Sequence, residues 1–258
     1  MPATDAVPRP AVVDGLRIEA VEHPGDPGRR PLVLLHEGLG SVGLWRDFPA
    51  ALNEATGRRV IAFSRFGHGR SDPPAEPRTP AFFHEEALEV LPALLPQLDA
   101  ANPILVGHSD GGSIALIHAA YNPVAGLVLI APHSFVEDLT VEEIRRTREL
   151  YEDGGLRERM ARHHDDPDAA FRGWSDVWLD PEFREWTIEA DAQGVTAAVL
   201  LMQGDGDPYG TLAQIDRIKA RVQGPVERIV FENAGHSIQL ERPEAVIAAI
   251  AAFSDRLR

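Results

Sequence analysis

The chain has 258 residues, 44% hydrophobic and 25% charged, with a formal net charge of −15 and no cysteine. Such a composition suits one soluble globular α/β unit carrying an insertion. Disulfides, thiolate metal sites and a cysteine nucleophile are excluded, and so acidic a surface repels phosphate backbones, which argues against nucleic acid as a partner.

The opening residues, MPATDAVPRPAVVDG, are rich in proline and read as a loose arm. They carry neither a basic n-region nor an apolar h-region, so no signal peptide is expected. No apolar run approaches the roughly 20 residues that cross a bilayer. Together with the missing cysteines, this points to the cytoplasm and away from a membrane partner. Residues 16–23 (LRIEAVEH) alternate apolar and polar, as a half-exposed strand does. Short continuous apolar runs follow at 32–36, 59–64, 104–107, 126–132, 197–204 and 226–232, the mark of strands buried on both faces. Helical patterns lie between them at 45–55, 83–98, 113–121, 212–222 and 243–256. This alternation predicts an α/β fold, a mostly parallel central sheet with helices on both faces. Ligands then bind beyond the C-terminal ends of the strands.

Residues 134–196 break the rhythm. They hold no convincing strand and are too long for a simple crossover, so they read as a helical cap inserted over the strand ends. The expected organisation is a core of 1–133 and 197–258 with the cap at 134–196. Within it, RRTRELYE reads as a solvated helix face with i,i+4 ion pairs. In RHHDDPD, adjacent histidines point to different sides of a helix and rarely share one ion, so no metal is expected. The histidines are expected to complement a helix C-terminus, and an aspartate to cap the next helix. A cap must show some residues to the substrate, and one or two of Phe135, Trp174 and Trp178 are expected to line an apolar pocket. Anionic substrates are disfavoured unless Arg145 or Arg148 turns inward.

The most informative stretch is ILVGHSDGGSIAL, residues 104–116. G-x-S-x-G between a buried strand and a helix is a nucleophile elbow. The tight turn needs absent side chains at its flanks and holds Ser109 out above the sheet. There the N–H of Asp110 can donate to a developing oxyanion, helped by the helix dipole. A serine at its ordinary pKa needs a base. His236, in a Gly-rich loop after the last strand, is the candidate. Asp205 and Asp207, after the preceding strand, are both candidates for the acid that orients it. His108 is expected to pack inside and His36 to organise its loop. His133, at the end of a strand, would face the same cavity.

GHSDGG, QGDGDPYG and NAGHS resemble the three catalytic stretches of the α/β-hydrolase superfamily, and the likeness runs from about residue 16 to 253. It implies an acid at the fourth position of a G-x-x-D run, which is Asp207. It also implies a second oxyanion donor from HEGLGSVGLW, which resembles the family's H-G-x-G-G-S followed by a tryptophan; the donor there is the Gly38 N–H. Glu37 departs from the pattern, standing where glycine is usual; it is counted among the substrate-binding residues, and since a bare carboxylate beside the oxyanion site would oppose catalysis, it is expected to be paired or turned away. SRFGHGRSD resembles the family's D-x-R-G-H-G-x-S with Ser64 for the acid, and Arg65 is the expected partner of Glu37.

The resemblance implies a serine hydrolase of the esterase type, cleaving an ester or thioester of a small to medium acyl group through an acyl-enzyme, with water as co-substrate and no cofactor. The alternatives are C–C bond hydrolysis of ring-fission diketones and a ligand receptor on the same fold. Epoxide hydrolases and dehalogenases of this fold use aspartate at the elbow, so Ser109 speaks against both. A homodimer through the cap is compatible with the sequence without being required by it.

Overall fold

The computed structural model describes residues 6–257. Its strands are β1 (Val7–Pro8), β2 (Ala11–Val13), β3 (Leu16–Ile18), β4 (Ala20–His23), β5 (Leu32–Leu35), β6 (Val60–Phe63), β7 (Ile104–His108), β8 (Gly126–Ile130), β9 (Val199–Gly204) and β10 (Val226–Phe231). Eight of them form one sheet in the order β1-β4-β6-β5-β7-β8-β9-β10. β1 and β4 pair antiparallel, and every pairing from β6 across to β10 is parallel. The mostly parallel α/β sheet expected from the alternating pattern is therefore present.

The helices are α1 (Phe48–Thr56), α2 (Phe82–Glu85), α3 (Leu91–Gln97), α4 (Asp110–Tyr121), α5 (Asp138–Glu152), α6 (Gly155–Met160), α7 (Pro167–Leu179), α8 (Glu189–Ala192), α9 (Ala213–Arg221), α10 (Ile238–Glu241) and α11 (Pro243–Asp255). β5 shows why its sequence reads as continuously apolar. Val33 and Leu35 join one buried cluster, Leu32 and Leu34 the other, so period-two side chains are buried on both sides of the sheet. Between β8 and β9 the described residues hold α5 to α8 and an isolated bridge between Phe135 and Thr187. Among the described residues no helix is long and apolar enough to cross a membrane.

Two expectations need correction, and a third gains a detail. The predicted loose arm falls partly on residues 1–5, which lie outside the described residues. From residue 7 onward the chain is ordered by pairing: β1 on β4, and β2 with β3 as a separate hairpin. Asp14 and Gly15 close that hairpin with φ of 51° and 80°. This is the positive-φ pair that matches strand twist, and an Asp-Gly step is its sequence signal. The helix predicted over 83–98 is present as a continuous helical run over 82–97, which passes through a π-turn at Glu86–Val90 between α2 and α3. The elbow helix starts at Asp110 rather than 113, because Gly111 and Gly112 hide its N-terminus from a propensity reading.

Candidate active site

Ser109 sits between the end of β7 and the start of α4, with φ 53° and ψ −121°, a conformation that a residue with a Cβ rarely adopts. Its N–H donates to the carbonyl of Ile130 at the end of β8 (2.8 Å). The flanking glycines are a matter of space. A Cβ on Gly107 would stand 2.3 Å from the Gly111 carbonyl oxygen, and one on Gly111 would stand 2.1 Å from that of Leu35. Both obstacles are main chain and cannot swing aside.

His236 follows β10 and Asp207 follows β9. His236 Nδ1 lies 2.8 and 2.9 Å from the two Asp207 carboxylate oxygens. Asp207 also accepts from the Tyr209 N–H (2.8 Å), while Asp205 accepts from the Asn233 N–H (2.8 Å) and takes no part in the pair. Burial pushes the Asp207 carboxyl up, but hydrogen bonding and charge from His236 outweigh it and hold the carboxyl below its ordinary value. Ser109 and His236 line one cavity of about 190 Å³, together with Gly38 and Asp110. Ser109 and His236 thus meet at one pocket at the strand ends, and Asp207 stands behind His236 without lining it.

The loop after β5 is fastened in a way its sequence does not announce. Arg65 donates to the carbonyls of His36 and Glu37, the latter at 2.8 Å. His36 Nδ1 lies 2.6 Å from the Glu37 carbonyl, and its Nε2 accepts from the Arg65 N–H (3.0 Å). His68 Nε2 lies 2.9 Å from the Gly38 carbonyl, and His164 Nε2 lies 3.0 Å from that of Leu39. Four consecutive carbonyls, residues 36 to 39, therefore each meet a buried side chain. Burial, aided by nearby Arg65, holds His36 well below its ordinary pKa; burial, aided by Arg78 and then Arg65, does the same for His68; burial lowers His164. All three are neutral, and each donates one N–H to a carbonyl. On the other side of the loop, Trp174 lies so close that a Cβ on Gly38 would stand 2.2 Å from its ring.

Arg65 was the expected partner of the Glu37 carboxylate; instead its hydrogen bonds go to main-chain carbonyls, and the carboxylate lies 3.6 Å from His108 Nδ1. Burial raises the Glu37 carboxyl, yet hydrogen bonding and charge from His108 leave it below its ordinary value. Glu37 is half-buried and lines the cavity, as do His133, Trp174 and Trp178. Phe135 does not: it lies outside the cavity, with the Arg217 guanidinium 3.6 Å above its ring. The strand-end turn sends its main chain to Gln214 and Thr187 instead. His108 is buried, as expected, with Nε2 on the His236 carbonyl (3.0 Å). In RHHDDPD, His164 does not complement a helix end. Its Nδ1 accepts from the Gly69 N–H (3.0 Å), and Asp166 caps α7 through the Ala169 N–H (2.9 Å). The sequence reading also missed Tyr209, Thr140 and Ile144 as cavity residues; nothing local in their segments marks them.

Asp110 contributes more than its N–H. Its Oδ1 accepts from Trp178 Nε1 (3.2 Å), and burial, opposed by Arg65, raises its carboxyl to about 6. Burial and then the charge of His236 lower His133 to about 3, so its imidazole is neutral.

The sequence matches the Alpha/beta hydrolase family over residues 32–249. It is 30% identical to the dihydrolipoyllysine-residue acetyltransferase component of an acetoin cleaving system from Pseudomonas putida, over 97% of this chain and 70% of that protein. It is 34% identical to a human (lyso)-N-acylphosphatidylethanolamine lipase over 42% of this chain; the match spans 31% of that lipase's length. In fold it resembles the esterase EaEST from Exiguobacterium antarcticum, with a TM-score of 0.75 at 22% identity, covering 95% of this chain and 97% of that one.

Proposed function

We propose that this chain, which belongs to the alpha/beta hydrolase family, is a serine hydrolase that cleaves a carboxylic ester or thioester through an acyl-enzyme. The observation that carries this reading is the His236–Asp207 pair (2.8 Å) opening on the same cavity as Ser109 at a positive-φ elbow. In the proposed reaction, Ser109 Oγ attacks the acyl carbon while His236 takes the hydroxyl proton. Asp207 fixes the imidazole tautomer and steadies the imidazolium. The tetrahedral oxyanion accepts from the Gly38 and Asp110 N–H groups. Collapse expels the alcohol or thiol, which leaves with the proton from His236. Water, activated by the same histidine, then adds to the acyl carbon and releases the acid and the free serine.

The helical segment at 134–196 acts in this reading as a cap, since Trp174 and Trp178 of α7 line the cavity. A pocket of about 190 Å³ suits a small to medium acyl group better than a polymer. We take the reaction to be cytoplasmic and to need no cofactor. The test is hydrolysis of p-nitrophenyl esters from acetate to decanoate by the wild type and by Ser109→Ala. Turnover should fall on the order of a millionfold in the variant. A variant that keeps its rate removes Ser109 as the nucleophile.

A further inference from the structure

The acids around the reacting centre outnumber the cations. Each proposed oxyanion donor has an acidic side chain next to it: Asp110 carries its own carboxyl, and Glu37 precedes Gly38. Both side chains line the cavity, and among the described residues lining it none is Lys or Arg. Arg65, the nearest buried cation, is committed to the carbonyls of His36 and Glu37. Arg148 pairs with Asp176, and Arg145 lines a separate cleft beside Arg184, so neither supplies a cation to the cavity.

A bare carboxylate beside an oxyanion site opposes the negative charge that forms there. His108 offsets part of the Glu37 charge, and Arg65 and Arg78 offset part of that of Asp110, but none of these cations lines the cavity, so a positive charge on the substrate adds to the compensation where the oxyanion forms. A second observation points to a bound donor. Asp110 is 1% exposed, and its Oδ2 has no hydrogen-bond partner, although its Oδ1 accepts from Trp178 Nε1. Across the same indole, whose ring centre is 4.8 Å from the His133 ring, the buried Nδ1 of His133 is also without a partner. Buried polar atoms left unpaired are uncommon and want an explanation. A buried carboxylate oxygen left without a donor is the kind of group that holds an ammonium by charge and hydrogen bonding.

We propose that the cavity selects acyl groups bearing a primary ammonium close to the scissile carbonyl, donating to Asp110 Oδ2 with His133 beside it, and balanced by the Asp110 and Glu37 carboxylates. This deepens the serine-hydrolase reading and rests on it. The acyl half is assigned the ammonium because it stays on Ser109, between the two acids, through both half-reactions. The same ammonium offsets the field that Glu37 and Asp110 impose on the oxyanion, so the natural substrate class is an amino-acid ester or thioester.

The experiment uses near-isosteric methyl esters at pH 7: β-alanine (ammonium), butanoate (neutral), β-hydroxypropanoate (hydroxyl) and succinate monoester (anion). Each kcat/KM is divided by the hydroxide-catalysed rate of the same ester. The β-alanine ester should exceed butanoate by at least about tenfold, roughly one close charge pair, and Asp110→Asn should bring that ratio towards one, with Glu37→Gln lowering it less. Equal rates, or a preference for the neutral, hydroxyl or anionic ester, overturn the proposal. A binding readout separates this from failure of the enzyme reading. Butylammonium and butanol are titrated into the full chain, wild type and Ser109→Ala, with the fluorescence of Trp174 and Trp178 as the signal. Tighter butylammonium binding supports the inference even where no ester is cleaved; equal or weaker binding overturns it.

Discussion

The two loops that face the cavity, 107–111 and 36–40, are built on opposite plans. The elbow takes its shape from the main chain. Its glycines leave room for passing carbonyls, Ser109 sits at φ 53°, and its N–H is fixed by β8. The loop after β5 is held from outside, by side chains that arrive from residues 65, 68 and 164 and grip its carbonyls. A main-chain turn is insensitive to its surroundings and intolerant of added atoms. A side-chain clamp is crowded by side chains rather than by main chain, as at Gly38 and Gly40, and depends on distant residues. The difference predicts different failures.

The sharpest break is Gly111→Ala. Its methyl would stand 2.1 Å from a β5 carbonyl oxygen, so overpacking should cost above about 4 kcal/mol, with loss of ester hydrolysis. Urea unfolding checks it; a variant with an unchanged midpoint would show that the turn can yield to an added methyl.

The corresponding break in the other loop is Arg65→Met. It frees the His36 carbonyl, leaves that of Glu37 to His36 alone, and strips Asp110 of a compensating charge. A stability loss of about 3 kcal/mol is expected, with a fall in kcat larger than any rise in KM. Arg65→Lys should not restore activity, because one ammonium cannot reproduce the fork on two carbonyls.

The smallest effect sharpens the contrast through pH. His36, His68 and His164 stay neutral in the folded state because burial lowers their pKa values. As pH falls below about 6.5, the unfolded chain takes up protons that the folded chain refuses, so stability falls. The slope is up to about 1.4 kcal/mol per pH unit for each histidine. Asp110, raised to about 6, runs the other way below that pH, so the comparison belongs between pH 7.5 and 6. Replacing His68 by Gln should flatten the slope of the urea midpoint over that window by one proton's share. An unchanged slope would mean that His68 titrates alike in both states.

This contrast also explains what the sequence makes legible. The elbow, His236 and the acid could be read because each lies in a short segment just past a strand end; type and spacing left Asp205 and Asp207 both open, and the family resemblance chose Asp207. The clamp could not. His164 and Leu39 are 125 positions apart, and RHHDDPD looks like any helix end until the fold brings it to Gly69. The Arg65–Glu37 expectation found the right neighbours and the wrong atoms, since proximity in the fold does not say whether a guanidinium takes a carboxylate or the carbonyls behind it. Phe135 was one of three aromatic candidates offered because a cap must face the substrate; Trp174 and Trp178 line the pocket, while the turn after β8 sends the Phe135 ring under Arg217. The opening strands were hidden by proline, although Asp14–Gly15 marks their hairpin.

The contact of Trp174 with Gly38 and the bond from His164 to the Leu39 carbonyl tie the segment between β8 and β9 to the loop after β5 from two directions. That segment is therefore not a module that can be exchanged like a lampshade. A chimera carrying a related protein's segment must bring a donor for Leu39 and a flat ring for Gly38, or accept a slackened loop. In a lineage descending from this chain, changes in that segment and in residues 36–40 should travel together.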